Sequence, residues 1–264
     1  MQIEISPNFS VDYTRAGSGV PIVFLHAFPL TCEMWNSQIS ALLEYSVLAP
    51  DARGFGATSP FGSTPSTLQM ARDLNDFLDA LQITEPIILC GLSMGGYTAL
   101  AFAREYSHRL RALVLCDTRA EADDAETKAK REANIQLLRE KGSRALAEKM
   151  APALLGETTQ KENLELVSRV VEWGSAQPPS TLIAALEALR DRPDAREWLC
   201  QIKVPTLLVF GKEDALAPAF VMETLHHGIE NSRLEIIAQA GHLSNLEQGE
   251  IFNAVLLEFL LSLN

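Results

Sequence analysis

One short stretch of this 264-residue chain restricts the possible folds more than any other. An apolar run over 86–90 leads into Gly91-Leu92-Ser93-Met94-Gly95-Gly96, and an alanine-rich segment with helical spacing follows over 97–106. Gly-x-Ser-x-Gly between a strand and a helix is the context in which a tight turn exposes a reactive serine. Gly91 and Gly95 have no Cβ, so the strand and helix can cross closely around a strained Ser93. A glycine-rich turn with a bystander serine is the alternative, and the rest of the chain must decide between them.

Strand and helix patterns alternate along most of the chain. Residues 2–5 and 9–15 alternate apolar and polar side chains, as half-buried antiparallel strands do. Further strands, including continuous apolar runs typical of a sheet covered on both faces, are predicted at 21–25, 46–49, 86–90, 110–116, 204–210 and 233–237. Helices are predicted near 31–43, 66–81, 97–106, 218–227 and 247–262. This alternation predicts an α/β fold with a mostly parallel eight-stranded sheet and helices on both faces.

One block interrupts the alternation. Residues 121–199 contain no convincing strand, and four helices are predicted there, near 123–141, 143–155, 160–174 and 179–190, with a short turn near 194–200. The block follows the strand next after the Ser93 strand, so it emerges at the sheet edge where ligands bind in open α/β sheets. We therefore expect a core made of 1–118 and 200–264, with 119–199 inserted as a helical cap. A purely structural insertion is the alternative.

Composition argues against several classes of function. The net charge of −12 disfavours nucleic acid and anionic membranes as partners. No apolar segment is long enough to span a membrane and no secretory signal is visible, so a cytoplasmic location is expected. Neither a zinc site nor a disulfide framework is expected, because the widely spaced cysteines form no CxxC pair: Cys32, Cys90, Cys116 and Cys200. No metal and no other cofactor is expected for the chain. The residues predict no particular oligomeric state.

A serine nucleophile needs a base and a group that orients the base, and both are found in loops of the predicted sheet edge. His242 lies in the last strand–helix loop, and Asp214 follows the penultimate strand by a short turn. Asp117 is a rival for the acid, because it ends the strand next to the Ser93 strand. The histidines that compete with His242 lie on predicted helix ends or before the serine turn: His26, His108, His226 and His227.

An oxyanion formed at Ser93 needs backbone donors. The N–H of Met94, directly after the serine, is one, and the loop His26-Ala27-Phe28-Pro29 supplies the N–H of Phe28 as the second. His26 is expected to order this loop by hydrogen bonding. Asp51 and Arg53 are expected to satisfy backbone groups of a turn that contains Gly54 and Gly56.

Together these motifs resemble the α/β-hydrolase superfamily over nearly the whole chain. His26-Ala27-Phe28-Pro29 is similar to its His-Gly-x-Pro loop, with Ala27 in place of the usual glycine. Residues 51–56 resemble its Asp-x-Arg-Gly-x-Gly turn, 91–96 its nucleophile elbow, 211–214 its acid loop and 240–242 its histidine loop. The stretch 241–248 looks most like the 3-oxoadipate enol-lactonase and small carboxylesterase branch.

The resemblance implies a hydrolase that cleaves a small carboxylic ester or lactone through an acyl-enzyme on Ser93. Two alternatives stay open: a ligand-binding receptor on the same fold, and an enol-lactonase, lyase or C–C hydrolase that acts on a carboxylated dicarbonyl substrate. The last of these requires basic side chains near Ser93, for which Arg119, Arg144 and Lys149 are candidates. The cap residues expected to line a substrate pocket are Leu138, Met150, Leu154, Trp173 and Ile183.

Overall fold

Eight strands form one sheet in the computed structural model, which describes residues 1–62 and 65–263. The strands are β1 (Gln2–Ser6), β2 (Phe9–Ala16), β3 (Pro21–Leu25), β4 (Ser46–Pro50), β5 (Ile87–Leu92), β6 (Leu110–Cys116), β7 (Thr206–Gly211) and β8 (Ser232–Ile237). Their order is β1-β2-β4-β3-β5-β6-β7-β8. β2 pairs antiparallel with β1 and β4, and the other pairs are parallel. The predicted fold class is confirmed.

The helices follow the predicted order with local differences. They are α1 (Asn36–Ala41), α2 (Thr67–Ala80), α3 (Met94–Glu105), α4 (Ala125–Leu154), α5 (Glu157–Glu162), α6 (Leu164–Ser175), α7 (Pro179–Arg190), α8 (Ala219–Gly228), α9 (Ser244–Glu247) and α10 (Gly249–Leu261). Short 3₁₀ helices cover Cys32–Trp35, Ser107–Arg109 and Ala195–Gln201. None of the helices described is long and apolar enough to cross a membrane.

Ser66 caps the N-terminus of α2, since its side chain accepts a hydrogen bond from the Gln69 N–H at 3.0 Å. The Gln69 side-chain amide does not bond back to Ser66, as it would in a capping box, but donates to Asp73. The single helix predicted over 31–43 is wrong: a 3₁₀ turn precedes α1 there, and the Cys32 N–H donates to the buried carboxylate of Asp51. Ser63 and Thr64, in the Ser-, Thr-, Gly- and Pro-rich stretch 57–66, lie outside the described residues.

The block between β6 and β7 is helical, as predicted. α4 combines the first two predicted helices, but the break expected at Gly142 is confirmed, because Gly142 has φ 75° and ψ −176° in the middle of α4. The third predicted helix is split at Asn163, whose side chain accepts from the Leu166 N–H and begins α6. The final helix predicted over 247–262 is likewise divided, because Gln248 has a non-helical backbone between α9 and α10.

Apolar clusters cover both faces of the sheet and hold the turn between β5 and α3 in place. Every residue of β3 and β5 is buried. α2, α3 and α8 pack on one face, and α1 and α10 pack on the other. A Cβ on Gly95 would overlap the carbonyl oxygen of Leu25 in β3, so only glycine permits α3 to start this close to the sheet. The loops after β5, β6, β7 and β8 therefore meet at one edge.

Candidate active site

Ser93 occupies the turn between β5 and α3 in a conformation rare for a residue with a side chain. Its φ and ψ are 53° and −109°. The Ser93 N–H donates to the Cys116 carbonyl at 2.9 Å, which ties the turn to the end of β6. A Cβ on Gly91 would overlap the backbone of Gly95. Backbone strain of this kind persists only where surrounding contacts enforce it, and it is concentrated at functional sites.

Ser93, His242 and Asp214 form one hydrogen-bonded chain across three loops. His242 Nε2 lies 2.8 Å from Ser93 Oγ, and His242 Nδ1 lies 2.7 Å from Asp214 Oδ2. The other oxygen, Asp214 Oδ1, accepts from the N–H groups of Leu216 and Ala217. Because an ionised carboxylate only accepts, Nδ1 carries the hydrogen and Nε2 is free to accept the serine hydroxyl.

The charges of this chain support each other. Burial alone would raise the pKa of Asp214, but His242 and the two N–H donors outweigh it, so the pKa of Asp214 is lowered. Burial likewise opposes the charged imidazole, but the Asp214 carboxylate outweighs it and raises the pKa of His242. An imidazole whose conjugate acid is stabilised in this way is suited to remove a proton from a serine.

The rival acid Asp117 is directed to different groups. Its Oδ1 accepts from the Gly211 N–H at 2.8 Å and its Oδ2 accepts from the Ser244 hydroxyl at 2.5 Å. The side chain is fully buried, and burial together with the nearby Asp214 charge raises its pKa. Asp214, and not Asp117, is hydrogen-bonded to the imidazole of His242.

Two backbone N–H groups are available beside Ser93. Met94 begins α3, and the first N–H groups of a helix have no partner within the helix. Phe28 lies in the loop after β3 and contributes to the wall of the cavity that contains Ser93. Among the described residues, no hydrogen bond engages the N–H of either Met94 or Phe28. Both N–H groups thus meet a requirement of the oxyanion-binding role expected of them, which remains a prediction.

The loop-ordering role expected of His26 matches its contacts. Its Nε2 accepts from the Ala52 N–H, and its Nδ1 lies 3.0 Å from the Ala27 carbonyl, with which it can bond as a donor. Burial lowers the pKa of His26, which favours this neutral form. Arg53 forms a two-pronged ion pair with Asp73, at 2.5 and 2.8 Å. The His26–Ala52 contact joins the Phe28 loop to the turn after β4. The role expected of Arg53 is wrong, because its guanidinium joins this turn to Asp73 in α2 and bonds no backbone group of the turn.

A cavity of about 530 Å³ opens beside Ser93 and His242. Met150 and Leu154 line it, as the sequence indicates. Leu138 and Ile183 instead pack in an apolar cluster behind Phe28 and Met94. Trp173 lines a separate groove near α1 and α9. Helical spacing shows which residues share a face, but the packing of the helices decides which face is turned to the site.

Basic side chains also line this cavity, although the whole chain has a net charge of −12. They are Arg119, Lys130, Arg131 and Lys149. The Arg119 guanidinium donates to the Leu216 carbonyl, and Lys149 Nζ donates to Asn134 Oδ1 at 2.8 Å. Both of these partners are neutral. Arg144, the other basic candidate, is exposed and pairs with Glu148 at 2.9 Å.

The remaining basic side chains of the cavity are paired with acids. Lys130 lies 2.7 Å from Glu126, and Arg131 pairs with Asp123. Asp123 is buried and also accepts from Arg192 at 2.5 Å, so two guanidinium groups share one carboxylate. Sequence patterns do not reveal this network, because Asp123 and Arg192 are 69 positions apart in the chain. The only local sign of the network in the sequence is the high density of charged residues where the chain leaves β6 and begins the first predicted helix of the block.

Among residues 1–62 and 65–263, no group of three or more His, Cys, Asp or Glu side chains is arranged to hold a metal ion.

The chain belongs to the α/β hydrolase fold family, whose model matches residues 20–248. It is 30% identical over 256 residues to 3-oxoadipate enol-lactonase 1 of Acinetobacter baylyi, covering 96% of this chain and 93% of that protein. The structure of a thermophilic esterase from Thermogutta terrifontis, with malate bound, is 35% identical with a TM-score of 0.94, covering 100% of this chain and 98% of that one. An enol-lactonase from Burkholderia xenovorans is 25% identical with a TM-score of 0.89, covering 98% and 99% of the two chains. The expected resemblance is confirmed, and the relatives indicate a hydrolase of the ester or lactone type.

Proposed function

We propose that the protein is a cofactor-independent serine hydrolase of small carboxylic esters or lactones, with Ser93, His242 and Asp214 as its catalytic triad. The observation that carries this proposal is the hydrogen-bonded chain from Ser93 Oγ through the imidazole to Asp214, at 2.8 and 2.7 Å, in the wall of a cavity large enough for a small substrate. An intact triad favours turnover over the alternative of a binding-only receptor.

In the first half of the reaction, Ser93 Oγ attacks the ester carbonyl while His242 Nε2 takes the hydroxyl proton. Asp214 accepts the Nδ1 hydrogen and stabilises the imidazolium that forms. The N–H groups of Met94 and Phe28 bind the oxyanion of the tetrahedral intermediate. His242 then gives its proton to the departing alkoxide, which leaves an acyl group on Ser93. In a lactone the leaving hydroxyl stays attached to the acyl chain.

In the second half, His242 takes a proton from water, and the resulting hydroxide attacks the acyl carbonyl. Collapse of this second intermediate releases the carboxylic acid and returns the proton to Ser93 Oγ. We propose that the helical block 119–199 acts as a cap in this cycle, because Met150, Leu154 and the basic groups from α4 face the cavity. The cytoplasmic location expected from the sequence remains a prediction.

The experiment that tests the proposal compares wild type with Ser93→Ala on short p-nitrophenyl esters. Loss of the nucleophile is expected to lower kcat on the order of 10⁴-fold or more. Ser40→Ala is the matched control, because Ser40 is exposed on α1 and bonds only the Asn36 carbonyl among the described residues. Equal rates for wild type and Ser93→Ala would refute the mechanism. A fluorophosphonate that fails to label Ser93 would favour the receptor.

A carboxylated substrate is the second candidate, and the basic groups of the cavity favour it. Arg119 and Lys149 have neutral partners, so a substrate carboxylate could bond to them without displacing an acidic side chain. The chain is also similar to enol-lactonases and to an esterase solved with malate, a dicarboxylate. We therefore propose esters or lactones that carry a second, free carboxylate as the preferred substrates.

This preference is testable with two substrates that differ in one charge. The mono-p-nitrophenyl ester of succinate carries a free carboxylate, whereas p-nitrophenyl butyrate is neutral and similar in length.

A hydrogen bond to a charged group contributes about 1.5–3 kcal/mol, so Lys149→Gln and Arg119→Gln should each lower kcat/KM for the succinate ester about tenfold or more. Their kcat/KM for butyrate should change little. Arg144→Gln, on the same helix as Lys149 but paired with Glu148, is the control. Equal losses on both substrates would contradict the preference.

A further inference from the structure

The three residues at the end of β6 contact the loops of all three proposed catalytic groups. The Cys116 carbonyl accepts from the Ser93 N–H, and the Thr118 hydroxyl donates to the Ser93 carbonyl, both at 2.9 Å. Both backbone polar groups of Ser93, its N–H and its carbonyl, are thus bonded to residues at the end of β6. Thr118 also fills the space above Gly96, where a Cβ would overlap its side chain.

Asp117 joins the other two loops to each other. The Gly211 N–H that donates to its Oδ1 lies three residues before Asp214, and the Ser244 hydroxyl that donates to its Oδ2 lies two residues after His242. Its own N–H donates to the Val209 carbonyl in β7 at 2.9 Å. One fully buried carboxylate therefore connects the strand end that leads to the acid with the loop that carries the base.

Both the backbone conformation and the burial of the carboxylate are energetically unfavourable at Asp117. Its φ of 45° lies in the left-handed region, which is costly for a residue with a Cβ. Burial and the nearby charge of Asp214 raise its pKa and disfavour a second carboxylate here. An apolar side chain would avoid the burial of charge, but it would leave the Gly211 N–H and the Ser244 hydroxyl without this acceptor.

We propose that Asp117 and Thr118 are positioning residues that hold the serine, acid and histidine loops in register, Thr118 through the Ser93 carbonyl and Asp117 by joining Gly211 to Ser244. The inference rests on the proposed function, since it concerns the same triad. Asp117 acts through the loops that it joins, while Asp214 makes the direct contact with the imidazole. The hydrogen-bonded link that it makes between Gly211 and Ser244, more than its charge, is what the site uses.

The test compares Asp117→Ala with Asp117→Asn on p-nitrophenyl butyrate. The alanine variant removes both acceptors. Because displacements of about 1 Å at a reacting group cost on the order of 10²-fold, its kcat per active site should fall by about that factor with little change in KM. The asparagine variant keeps a carbonyl for the Gly211 N–H, and its amide can donate to the Ser244 hydroxyl. It should restore kcat to within about fivefold of wild type.

Active sites are counted by fluorophosphonate labelling, so that unfolded protein is not mistaken for slow enzyme. A lower melting temperature and labelled fraction, with an unchanged kcat per labelled site in Asp117→Ala, would show a merely structural role and overturn the proposal. An asparagine variant as slow as the alanine variant would show that charge matters, and would overturn it too. If wild type itself is not labelled, or Ser93→Ala keeps full activity, the proposed function fails, whatever Asp117 does.

Single-bond variants keep the proposal testable if Asp117→Ala does not fold. Thr118→Val and Ser244→Ala each remove one hydrogen bond of the network, and each should lower kcat per labelled site about three- to tenfold. Thr206→Val is the matched control, because Thr206 is equally buried and also donates to a backbone carbonyl, but at the opposite end of the sheet. The control should lower the melting temperature without changing kcat. Equal kcat for the control, Thr118→Val and Ser244→Ala would refute the positioning role.

Discussion

Replacing Asp214 by Asn tests the proposed triad where its electrostatics are strongest. In the transition state His242 becomes positive 2.7 Å from Asp214 Oδ2, and two unit charges at that distance attract by about 6 kcal/mol at an effective dielectric constant of about 20. Each tenfold change in rate corresponds to about 1.4 kcal/mol, so this attraction matches a loss of about four decades. Asn would also favour the wrong tautomer by offering an N–H to Nδ1. We expect kcat to fall on the order of 10⁴-fold.

The same variant predicts a shift in pH dependence with a definite sign. His242 must be neutral to accept the serine proton, so wild-type kcat/KM falls as the pH drops through a pKa raised above its ordinary value of 6.5. Without the Asp214 charge, burial and the nearby Arg119 lower this pKa, and only Asp117 still raises it. The acidic limb of the profile should therefore move to lower pH.

The assay measures kcat/KM for p-nitrophenyl butyrate from pH 5 to 9. Release of p-nitrophenol is followed at the wavelength where its neutral and ionised forms absorb equally. Glu213→Gln is the control, because Glu213 is adjacent in the chain but its carboxylate accepts from Thr158. The control should keep the wild-type profile. Retention of more than a tenth of the wild-type kcat in Asp214→Asn, or an acidic limb at higher pH, would refute the assignment of Asp214.

Three further outcomes are expected. Gly95→Ala places a Cβ against the Leu25 carbonyl and should lower the free energy of unfolding by about 1–3 kcal/mol or prevent folding, as urea denaturation would show; an unchanged midpoint would contradict the close crossing of β3 and α3. Asp123→Ala leaves the Arg131 and Arg192 guanidinium groups without their shared acid and should cost about 3–5 kcal/mol in the same assay, whereas a loss below about 1 kcal/mol would contradict a buried network. Raising ionic strength from 0.05 to 0.5 M should lower kcat/KM for the succinate ester more than for butyrate, and parallel curves would argue against recognition of the carboxylate.

The fold could be predicted from the sequence because its signals are local. The apolar run 86–90, the glycines around Ser93 and the later strand–helix alternation each reflect a steric or burial requirement within a few residues. The break at Gly142 was predictable for the same reason, since its φ of 75° favours glycine. His242 and Asp214 could be chosen because the loops at one edge of a parallel sheet must meet.

The parts that the sequence left open depend on contacts between distant residues. Asp117 looks like a possible catalytic acid in the chain, and only its bonds to Gly211 and Ser244 separate it from Asp214. Trp173 shares an apolar helical face with other residues, yet it lines a different groove, next to α1 and α9. A period of 3.6 residues identifies a face and not its neighbour.

The two ends of the site have different chemical requirements, and this difference explains where the sequence is informative. The bond-breaking end needs fixed atoms at fixed distances, so it is built from strand ends and from close backbone crossings where only glycine fits. The substrate-binding end needs only a suitable shape and charge, which many combinations of cap residues can supply. In this chain that end carries positive groups, Arg119 and Lys149, against a net charge of −12. A substrate carboxylate, as proposed above, would give these two side chains the charged partner that their hydrogen bonds to Leu216 and Asn134 do not supply.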